Sequence, residues 1–327
     1  MTPIDWRNLV EETRRRRKAD GLTQREHAAL AGVSVPTLAA FDRGEQTLTL
    51  AKAFAILRVV GLVLEKPTDG SQNAFAQETF KRWQSLIAHL PLDAPGRFPH
   101  GYFRIDYGLE GDVRQVPLYE YEHMLRQAVT HHTGWPVFLF LERQELAPEE
   151  IGGAIECWLA KPGVERLFVD AAHSDFWCAV PEGRLWMIRG YQEDGQDTFP
   201  PGTIFDTTLP IWRLGEALLH AEKLAAMLRK NDSASVTVKF RAVFTGLTGR
   251  VLRSWANPLG DLWLEGHAAR SDEAVLETVV PAEKITEHLG EYLHPMIASL
   301  YERFGVTGLT VNRVKLEAER LLKSRSS

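Results

Sequence analysis

The sequence predicts two folded parts of different class: a small all-α head of five helices, and a larger α+β domain with mostly antiparallel strands. Its 327 residues suit about two domains, since domains of roughly 150 residues are common. Apolar residues recur at helical spacing through residues 1–65, whereas short segments of alternating polarity begin near residue 101. We therefore predict a head at 1–65, a linker with an amphipathic helix at 66–97, and the α+β domain at 98–327.

The composition and the charge distribution narrow the functional classes. The chain is 44% hydrophobic and 25% charged, which is typical of globular proteins and excludes a collagen or a disordered chain. The formal net charge is −5, so any contact with nucleic acid must be local. Residues 1–65 carry 10 Lys and Arg against 8 Asp and Glu, whereas residues 66–327 carry 28 against 35. A basic head on an acidic body is expected of a chain that contacts phosphate through one module.

Half of the basic charge of the head lies in the run RRRRK at 14–18. The alternative to a phosphate contact is that this run is a solvated helix face. The residues around it decide between the two interpretations.

Nothing in the sequence predicts export or membrane insertion. A signal peptide has an apolar segment after its first charges, and the first residues here, MTPIDWRNLVEETRRRRK, have none. No apolar run reaches the ~20 residues that span a bilayer. Cys157 and Cys178 are the only cysteines, and they lack the spacing of a metal site. We therefore expect a cytoplasmic protein with no membrane partner.

The first two helices of the head have recognisable start and stop signals. The first is predicted over Trp6–Ala19 and ends at the Asp-Gly pair at 20–21. Thr23 and Glu26 have the spacing of a capping box, which opens a second helix at 24–31.

A tight turn at 32–34 connects the second helix to a third. Ser34 caps this third helix, and Pro36 lies in its first turn, where proline is tolerated. The third helix ends near Gly44, and a longer helix at 50–60 carries an apolar stripe. Two short helices joined by a glycine turn form a helix-turn-helix unit.

The segments LTQREHAALAGVS at 22–34 and PTLAAFDRG at 36–44, followed by residues 47–62, resemble the phage-repressor class of helix-turn-helix domains (Cro/repressor, XRE-like). The resemblance implies that the third helix enters the major groove and that dimers bind half-sites about 34 Å apart. It also implies phosphate contacts at Gln24 and around Thr37 and Arg43. The candidate DNA-binding residues, with the basic run, are Arg15, Arg17, Lys18, Thr23, Gln24, Arg25, Ser34, Val35, Pro36, Thr37, Ala39, Ala40 and Arg43.

The head departs from that class in two ways. His27 stands where the class usually has leucine, which predicts a half-buried neutral histidine or, alternatively, a pH switch. The base-facing side chains of the third helix cannot form the bidentate hydrogen bonds that distinguish bases. These side chains are Val35, Pro36, Ala39 and Ala40. Specificity would then come from thymine methyl groups, from DNA shape or from the loop at 44–48; the alternative is a unit that binds only protein.

Outside the head, residues 74–90 are predicted to form an amphipathic helix that docks on the body or pairs with a second subunit. Further helices are predicted at 117–132, 211–229, 282–304 and 310–323. Strands are predicted at 103–107, 137–141, 154–159, 175–180, 185–189, 236–244, 250–255, 261–268 and 274–280. Antiparallel strands with helices in blocks indicate an α+β domain rather than a repeated βαβ unit.

Four segments of the larger domain carry a second resemblance, which spans roughly residues 100–305. They are AIECW at 154–158, AHSDFW at 172–177 with RGYQED at 189–194, PGTIFDTTLPIWRLGE at 201–216, and FTGLTGR at 244–250 with SWANP at 254–258. They resemble a C-terminal module of bacterial proteins that begin with a Schlafen-type, Alba-like DNA-binding domain. One body attached to different DNA-binding heads implies a sensing or assembly unit.

The larger domain also contains charged and aromatic residues that would line a pocket if its strands converge. His173, Ser174 and Asp175 are not a catalytic triad, because only the first and the last share a face of a strand. The candidate pocket residues are His173, Asp175, Trp177, Arg189, Glu193, Asp206, Trp212, Arg213, Arg250 and Trp255. Aromatic walls with a few convergent charges describe a ligand site, and equally a core held by salt bridges. No HExxH, CxxC or Asp-rich pattern is present, so no metal, cofactor or catalytic residue is assigned.

Together these patterns predict a sequence-specific transcriptional regulator of the repressor type. It would bind double-stranded operator DNA as a homodimer, and its larger domain would sense a ligand or partner and set the dimer geometry. One alternative is an antitoxin-like autoregulator that binds a toxin or a defence effector. A second is a hydrolase of nucleotide or nucleic acid that uses His173, Arg189 and Asp206. We expect no enzymatic activity.

Overall fold

A computed structural model of the protein describes residues 5–19, 21–31, 33–45, 48–60, 62, 72–256 and 267–324. The chain divides into two compact units, Met1–Ser71 and Gln72–Ser327. The first is helical, and the second combines helices with a seven-stranded antiparallel sheet. The predicted fold class is therefore confirmed. The linker residues predicted at 66–71 lie outside the described residues.

Four of the five helices predicted for the head are described. They are α1 (Trp6–Ala19), α2 (Gln24–Leu30), α3 (Val35–Asp42) and α4 (Leu50–Val59). Their common core includes Val10, Leu38 and Phe41, which are almost fully buried. The capping box forms as predicted: the Thr23 N–H donates to the Glu26 carboxylate at 2.9 Å, and the Glu26 N–H donates to Thr23 Oγ1 at 3.2 Å. Local signals therefore fix the start of α2.

The second unit contains nine described strands. They are β1 (Tyr102–Gly111), β2 (Glu149–Ile151), β3 (Ala154–Trp158), β4 (Phe176–Val180), β5 (Arg184–Gly190), β6 (Ile204–Asp206), β7 (Val236–Phe244), β8 (Val251–Arg253) and β9 (Ala274–Pro281). Seven of them form one sheet in the order β2-β3-β4-β5-β1-β7-β9, with every neighbouring pair antiparallel. Strands β6 and β8 pair in parallel outside this sheet.

The two faces of the sheet follow the alternation of residues along its strands. The larger hydrophobic core of the second unit, called the main core below, lies on one face of the sheet and includes Ile105 and Tyr107 of β1. Asp106 points to the other face, where its carboxylate accepts a hydrogen bond from Gln72. Four helices pack on the core side: α6 (Leu118–Ala128), α7 (Leu209–Leu228), α8 (Leu289–Glu302) and α9 (Val311–Lys323). Helix α7 is buried along most of its length, which suits its apolar composition on nearly all sides.

Helix α5 (Gln72–Ile87) covers the other face of the sheet. Trp83 is buried and stacks on Phe98, with ring centroids 5.7 Å apart. Phe80 lies 6.2 Å from Trp186 of β5. Of the two arrangements predicted for this amphipathic helix, docking on the body is the one that forms.

Residues 137–141, which the sequence predicts as a strand, form a buried loop instead. Phe138 has a φ of 53°, in the left-handed region that a strand does not contain. The indole Nε1 of Trp177 donates to the carbonyl of Leu139 at 3.1 Å. A side chain from β4 therefore takes up a backbone group that a strand would have paired in a ladder.

Two further predictions are affected near the end of the chain. The helix predicted at 282–304 begins only at Leu289, because Ala282–Lys284 form a separate 3-10 turn. The strand predicted at 261–268 falls mostly outside the described residues, and Ala268 forms an isolated bridge with Val251. Within the described residues, no helix is long and apolar enough to cross a membrane.

Candidate functional site

Helices α2 and α3 form a helix-turn-helix unit that local hydrogen bonds shape. The Val33 N–H donates to the carbonyl of Ala28 at 3.0 Å and closes the end of α2. Ser34 is extended, and its hydroxyl accepts from the Thr37 N–H at 3.3 Å, which caps α3. Leu38 is fully buried in the core of the head, so the opposite side of α3 faces solvent.

The outer face of α3 is apolar. Its exposed or partly exposed residues are Val35, Pro36, Ala39 and Ala40. The hydroxyl of Thr37 lies 2.8 Å from Ser34 Oγ and is therefore part of the cap. This face presents methyl and methylene groups, which are the groups that contact the 5-methyl group of thymine in the major groove.

Asp42, the last residue of α3, joins three helices. Its carboxylate accepts hydrogen bonds from Arg17 on α1 at 3.0 and 2.8 Å, and from Gln24 on α2 at 2.8 Å. The side chains of Arg17 and Asp42 are 10% and 11% exposed. The basic run predicts Arg17 as a DNA contact, and this is corrected by the structure. A buried guanidinium with both ends on a carboxylate does not reach a phosphate.

The rest of the basic run divides into side chains with an ion-pair partner and side chains without one among the described residues. Arg15 and Arg16 contact Glu12 at 2.6 and 2.8 Å, and their hydrogen bonds lower the pKa of Glu12 to about 2. Arg14 and Lys18 are exposed and lie four residues apart, on one side of α1. Neither has an ion-pair partner among the described residues. Arg14 is absent from the predicted set, although its spacing from Lys18 could have identified it.

The remaining polar DNA contacts predicted at helix ends lie at exposed positions. They are Thr23, Gln24, Arg25, Ser34 and Arg43. Arg43 pairs with Glu45 at 2.8 Å while 63% of its side chain is exposed, so this pair can open at little cost. The candidate loop at 44–48 includes residues 46 and 47, which lie outside the described residues.

His27 makes a structural contact inside the head. Its ring is fully buried, and Nε2 lies 2.9 Å from the carbonyl oxygen of Ile56 in α4. That contact needs a proton on Nε2, whereas Nδ1 has no partner among the described residues. The ring therefore connects α2 to α4, and the residue is more deeply buried than the sequence predicts.

In the second unit, buried arginines bind carboxylates and backbone carbonyls. Arg189 pairs with Asp175, and it donates to the carbonyls of Trp135 and Pro136 at 3.0 and 2.8 Å. Arg213 of α7 donates to the same Trp135 carbonyl at 2.8 Å. The two guanidinium groups therefore hold the loop that contains Trp135 against α7.

A second buried group surrounds Arg250 and Asp206. Arg250 is fully buried and pairs with Asp194 at 2.6 Å. The Asp206 carboxylate accepts four backbone N–H groups at 2.7–2.8 Å, from Thr208, Leu209, Trp255 and Ala256. These bonds fix the start of α7 and the segment after β8. The charges are thus satisfied by the fold itself.

Between these two groups lies a small cavity. Arg189, Glu193 and Arg213 line it together with Tyr191 and Phe205. Its volume of about 20 Å³ has room for about one water molecule. Among the described residues, no group of three or more His, Cys, Asp or Glu is arranged to hold a metal ion.

The other predicted pocket residues lie elsewhere. Trp177 is fully buried in the main core, and Trp212 packs against that core with part of its side chain exposed. Trp255 contributes its backbone N–H to Asp206. His173 lines a separate cleft of about 300 Å³. The predicted set is therefore split between a hydrogen-bonded interior and two cavities.

Glu193 gives the second unit an expected pH dependence. Burial and the nearby Asp206 carboxylate raise the pKa of Glu193 from 4.5 to about 7. Because the folded state holds this proton more tightly, the stabilisation is complete below about pH 4.5 and is lost as the pH rises through about 7. At about 1.4 kcal/mol per pKa unit, the loss by about pH 8 is on the order of 3 kcal/mol.

We therefore expect Glu193→Gln to flatten the fall in the free energy of unfolding between about pH 5 and pH 8. Urea denaturation at several pH values measures this slope. Glu302→Gln, at an exposed position of α8, is the matched control and should keep the wild-type slope. An equal slope in wild type and Glu193→Gln would contradict the assignment.

Comparison with known proteins identifies the head. The family described as "Helix-turn-helix" matches residues 14–63. No curated protein and no solved structure matches the chain. The N-terminal region is thus a helix-turn-helix domain of the XRE type, which implies DNA binding. The second resemblance, which concerns the larger domain, stays a prediction.

Proposed function

We propose that this chain is a sequence-specific transcriptional regulator of the repressor type, which binds operator DNA as a homodimer. One observation carries the proposal. In the matched helix-turn-helix unit, one side of α3 is buried in the core of the head and the other side is exposed to solvent. The exposed side is free to enter the major groove of DNA. In such units the second helix enters the major groove while neighbouring helix ends contact the backbone.

Phosphate contacts are proposed at the exposed polar groups around α2 and α3. Gln24 and Arg25 lie in the first turn of α2, where free backbone N–H groups favour an anion. Arg14 and Lys18 add two cations on α1 that have no ion-pair partner within the described part of the chain. The acidic residues of the body would repel DNA elsewhere, which confines binding to the head and lowers nonspecific affinity.

Base recognition is proposed to rest on methyl groups. Val35, which is 41% exposed, with Ala39 and Ala40, forms a surface without hydrogen-bonding groups. Thymine alone among the four bases carries a methyl group in the major groove, so such a surface distinguishes it by apolar contact. An apolar face of this kind also suits a protein contact, so measurement of DNA binding is what distinguishes the two interpretations of the head.

For the body we propose a sensing role rather than catalysis. Arg189, Arg213 and Arg250 donate to protein acceptors, and the cavity beside the first two has room for only about one water molecule. Arg189 and Arg213 connect the loops that contain Trp135 and Asp175 to α7, which is buried in the main core. A ligand that moves those loops would therefore act on the helix at the centre of the unit.

The experiment that tests this function starts with selection of binding sites from random duplex DNA by the full chain. Fluorescence anisotropy then compares the selected duplex with a shuffled duplex at the same stated salt concentration. We expect the selected duplex to bind at least ~1,000-fold more tightly, as specific regulators do. Equal affinity for both duplexes would refute sequence-specific regulation.

A further inference from the structure

The cleft that contains His173 is larger than the cavity of the buried charge network. Its volume is about 300 Å³, at the lower end of the range for small-molecule sites. Its lining includes Trp135, Leu146, Leu159, Arg166, Phe168 and His173. These residues come from loops outside the sheet ladder, and most of them are apolar.

Three aromatic rings form one wall of the cleft. The centroid of the His173 imidazole lies 4.5 Å from the ring centroids of both Trp135 and Phe168, and these two rings lie 6.2 Å from each other. Leu146 and Leu159 belong to the main core and are almost fully buried. The aromatic wall, together with these two leucines, suits the flat or branched apolar part of a small molecule.

The rim of the cleft leaves apolar surface in contact with solvent. Leu167 is 89% exposed and Phe168 is 46% exposed. An occupant that covered them would remove this area from water and be stabilised accordingly.

Arg166 gives the cleft a partly buried cation. Its Nη1 donates to the carbonyl of His173 at 3.3 Å and to Ser174 Oγ at 3.1 Å, both uncharged acceptors. No carboxylate lies within ion-pair distance of it among the described residues. Partial burial lowers the pKa of Arg166, because desolvation disfavours the charged form and the negative charge of Asp170 offsets only part of this effect. An anion beside this guanidinium would offset that desolvation.

The other charged lining residues are more solvated. Arg143 donates to the Glu145 carboxylate at 3.1 Å and to the carbonyl of Glu165 at 2.5 Å, and its side chain is 47% exposed. Glu142 is exposed at the rim. Arg166 is therefore the charged group best placed to select the occupant.

We propose that this cleft binds a small organic anion with an apolar, preferably aromatic, body. The carboxylate of the ligand pairs with Arg166, and its apolar part lies against Trp135 and Phe168. This inference names the ligand class for the proposed sensing role and rests on that role for its biological meaning. Ligand binding itself needs no DNA.

The walls of the cleft are connected to the buried charge network. The carbonyl of Trp135 accepts from both Arg189 and Arg213. Asp175, two residues after His173, pairs with the same Arg189. Displacement of the aromatic wall by a ligand would therefore reach α7 directly through Arg213, and would reach β5 through Arg189.

The test is isothermal titration of the full chain with benzoate, indole-3-acetate and hexanoate. We expect saturable binding of at least one carboxylate at one site per chain. The neutral counterpart indole-3-acetamide should bind at least about tenfold more weakly than indole-3-acetate, a comparison that needs no variant. Arg166→Gln should weaken carboxylate binding at least about tenfold, whereas Arg114→Gln, at a half-exposed arginine that pairs with Glu120, should not.

Three results would overturn the proposal. One is the absence of saturable binding for all three carboxylates. Another is binding in which indole-3-acetamide is as tight as indole-3-acetate and Arg166→Gln binds carboxylates as tightly as the wild type. The third is conversion of a dimer to a monomer by Phe168→Ser in sedimentation, since the exposed rim would then be a protein interface. Because these measurements contain no DNA, their failure is separate from failure of operator binding.

Discussion

Ala39→Glu is expected to abolish sequence-specific DNA binding by the full chain. Ala39 lies on the outer face of α3 and is partly exposed, so the fold has room for the longer side chain. The new carboxylate would replace an apolar contact and bring negative charge toward the bases and phosphates. We expect the affinity for the selected duplex to fall at least ~100-fold, measured by anisotropy at fixed salt.

The matched control is Ala226→Glu, the same substitution at an exposed position of α7 in the second unit. It adds the same charge to the chain but lies outside the head. Its affinity should stay close to that of the wild type, and both variants should keep the wild-type thermal transition. Tight operator binding by Ala39→Glu would show that α3 does not face the DNA.

Asp175→Ala is expected to lower the free energy of unfolding of the second unit by about 3–5 kcal/mol. Asp175 is fully buried and is the carboxylate partner of Arg189, which is 1% exposed. Removing the carboxylate leaves a buried guanidinium with only backbone carbonyls as acceptors. Urea denaturation followed by tryptophan fluorescence measures the change.

Glu110→Ala is the control for this prediction. Glu110 pairs with Lys239 at 2.7 Å, but the two side chains are 53% and 49% exposed. Water replaces such a contact readily, so the loss should stay below about 1 kcal/mol. Similar small losses in both variants would mean that the buried network contributes little to the fold.

Much of the head could be predicted because its signals are local. The capping box of Thr23 and Glu26 and the cap at Ser34 act over three residues, and the structure contains both. The hairpin of β4 and β5 was predictable in the same way, since Gly183 takes a φ of 74° that a turn at this position requires.

Contacts between distant parts of the chain could not be predicted in the same way. Arg17 belongs to a run of five basic residues, and only the folded head shows that it pairs with Asp42. The loop at 137–141 has the composition of a strand, but the Trp177 indole, 38 positions from Leu139, takes one of its carbonyls. Hydrophobic alternation carries no information about such partners.

The candidate pocket shows the same limit. The sequence identifies residues such as Arg189 and Asp206 as unusual, and both are indeed buried. It does not show that backbone groups and opposite charges already satisfy them, because that depends on loop geometry. Arg166 and Phe168, which form the larger cleft with His173, carry no motif that would have identified them.

We propose that the head reads DNA through the apolar face of α3. Replacement of thymine by uracil in the selected duplex tests it most directly, because uracil keeps the base pairing and removes only the methyl group. We predict that uracil at the thymines contacted in each half-site weakens binding by the full chain at least about tenfold. The same replacement of thymine by uracil in the shuffled duplex should leave its affinity unchanged. Equal affinity for the thymine and uracil forms of the selected duplex would contradict the claim.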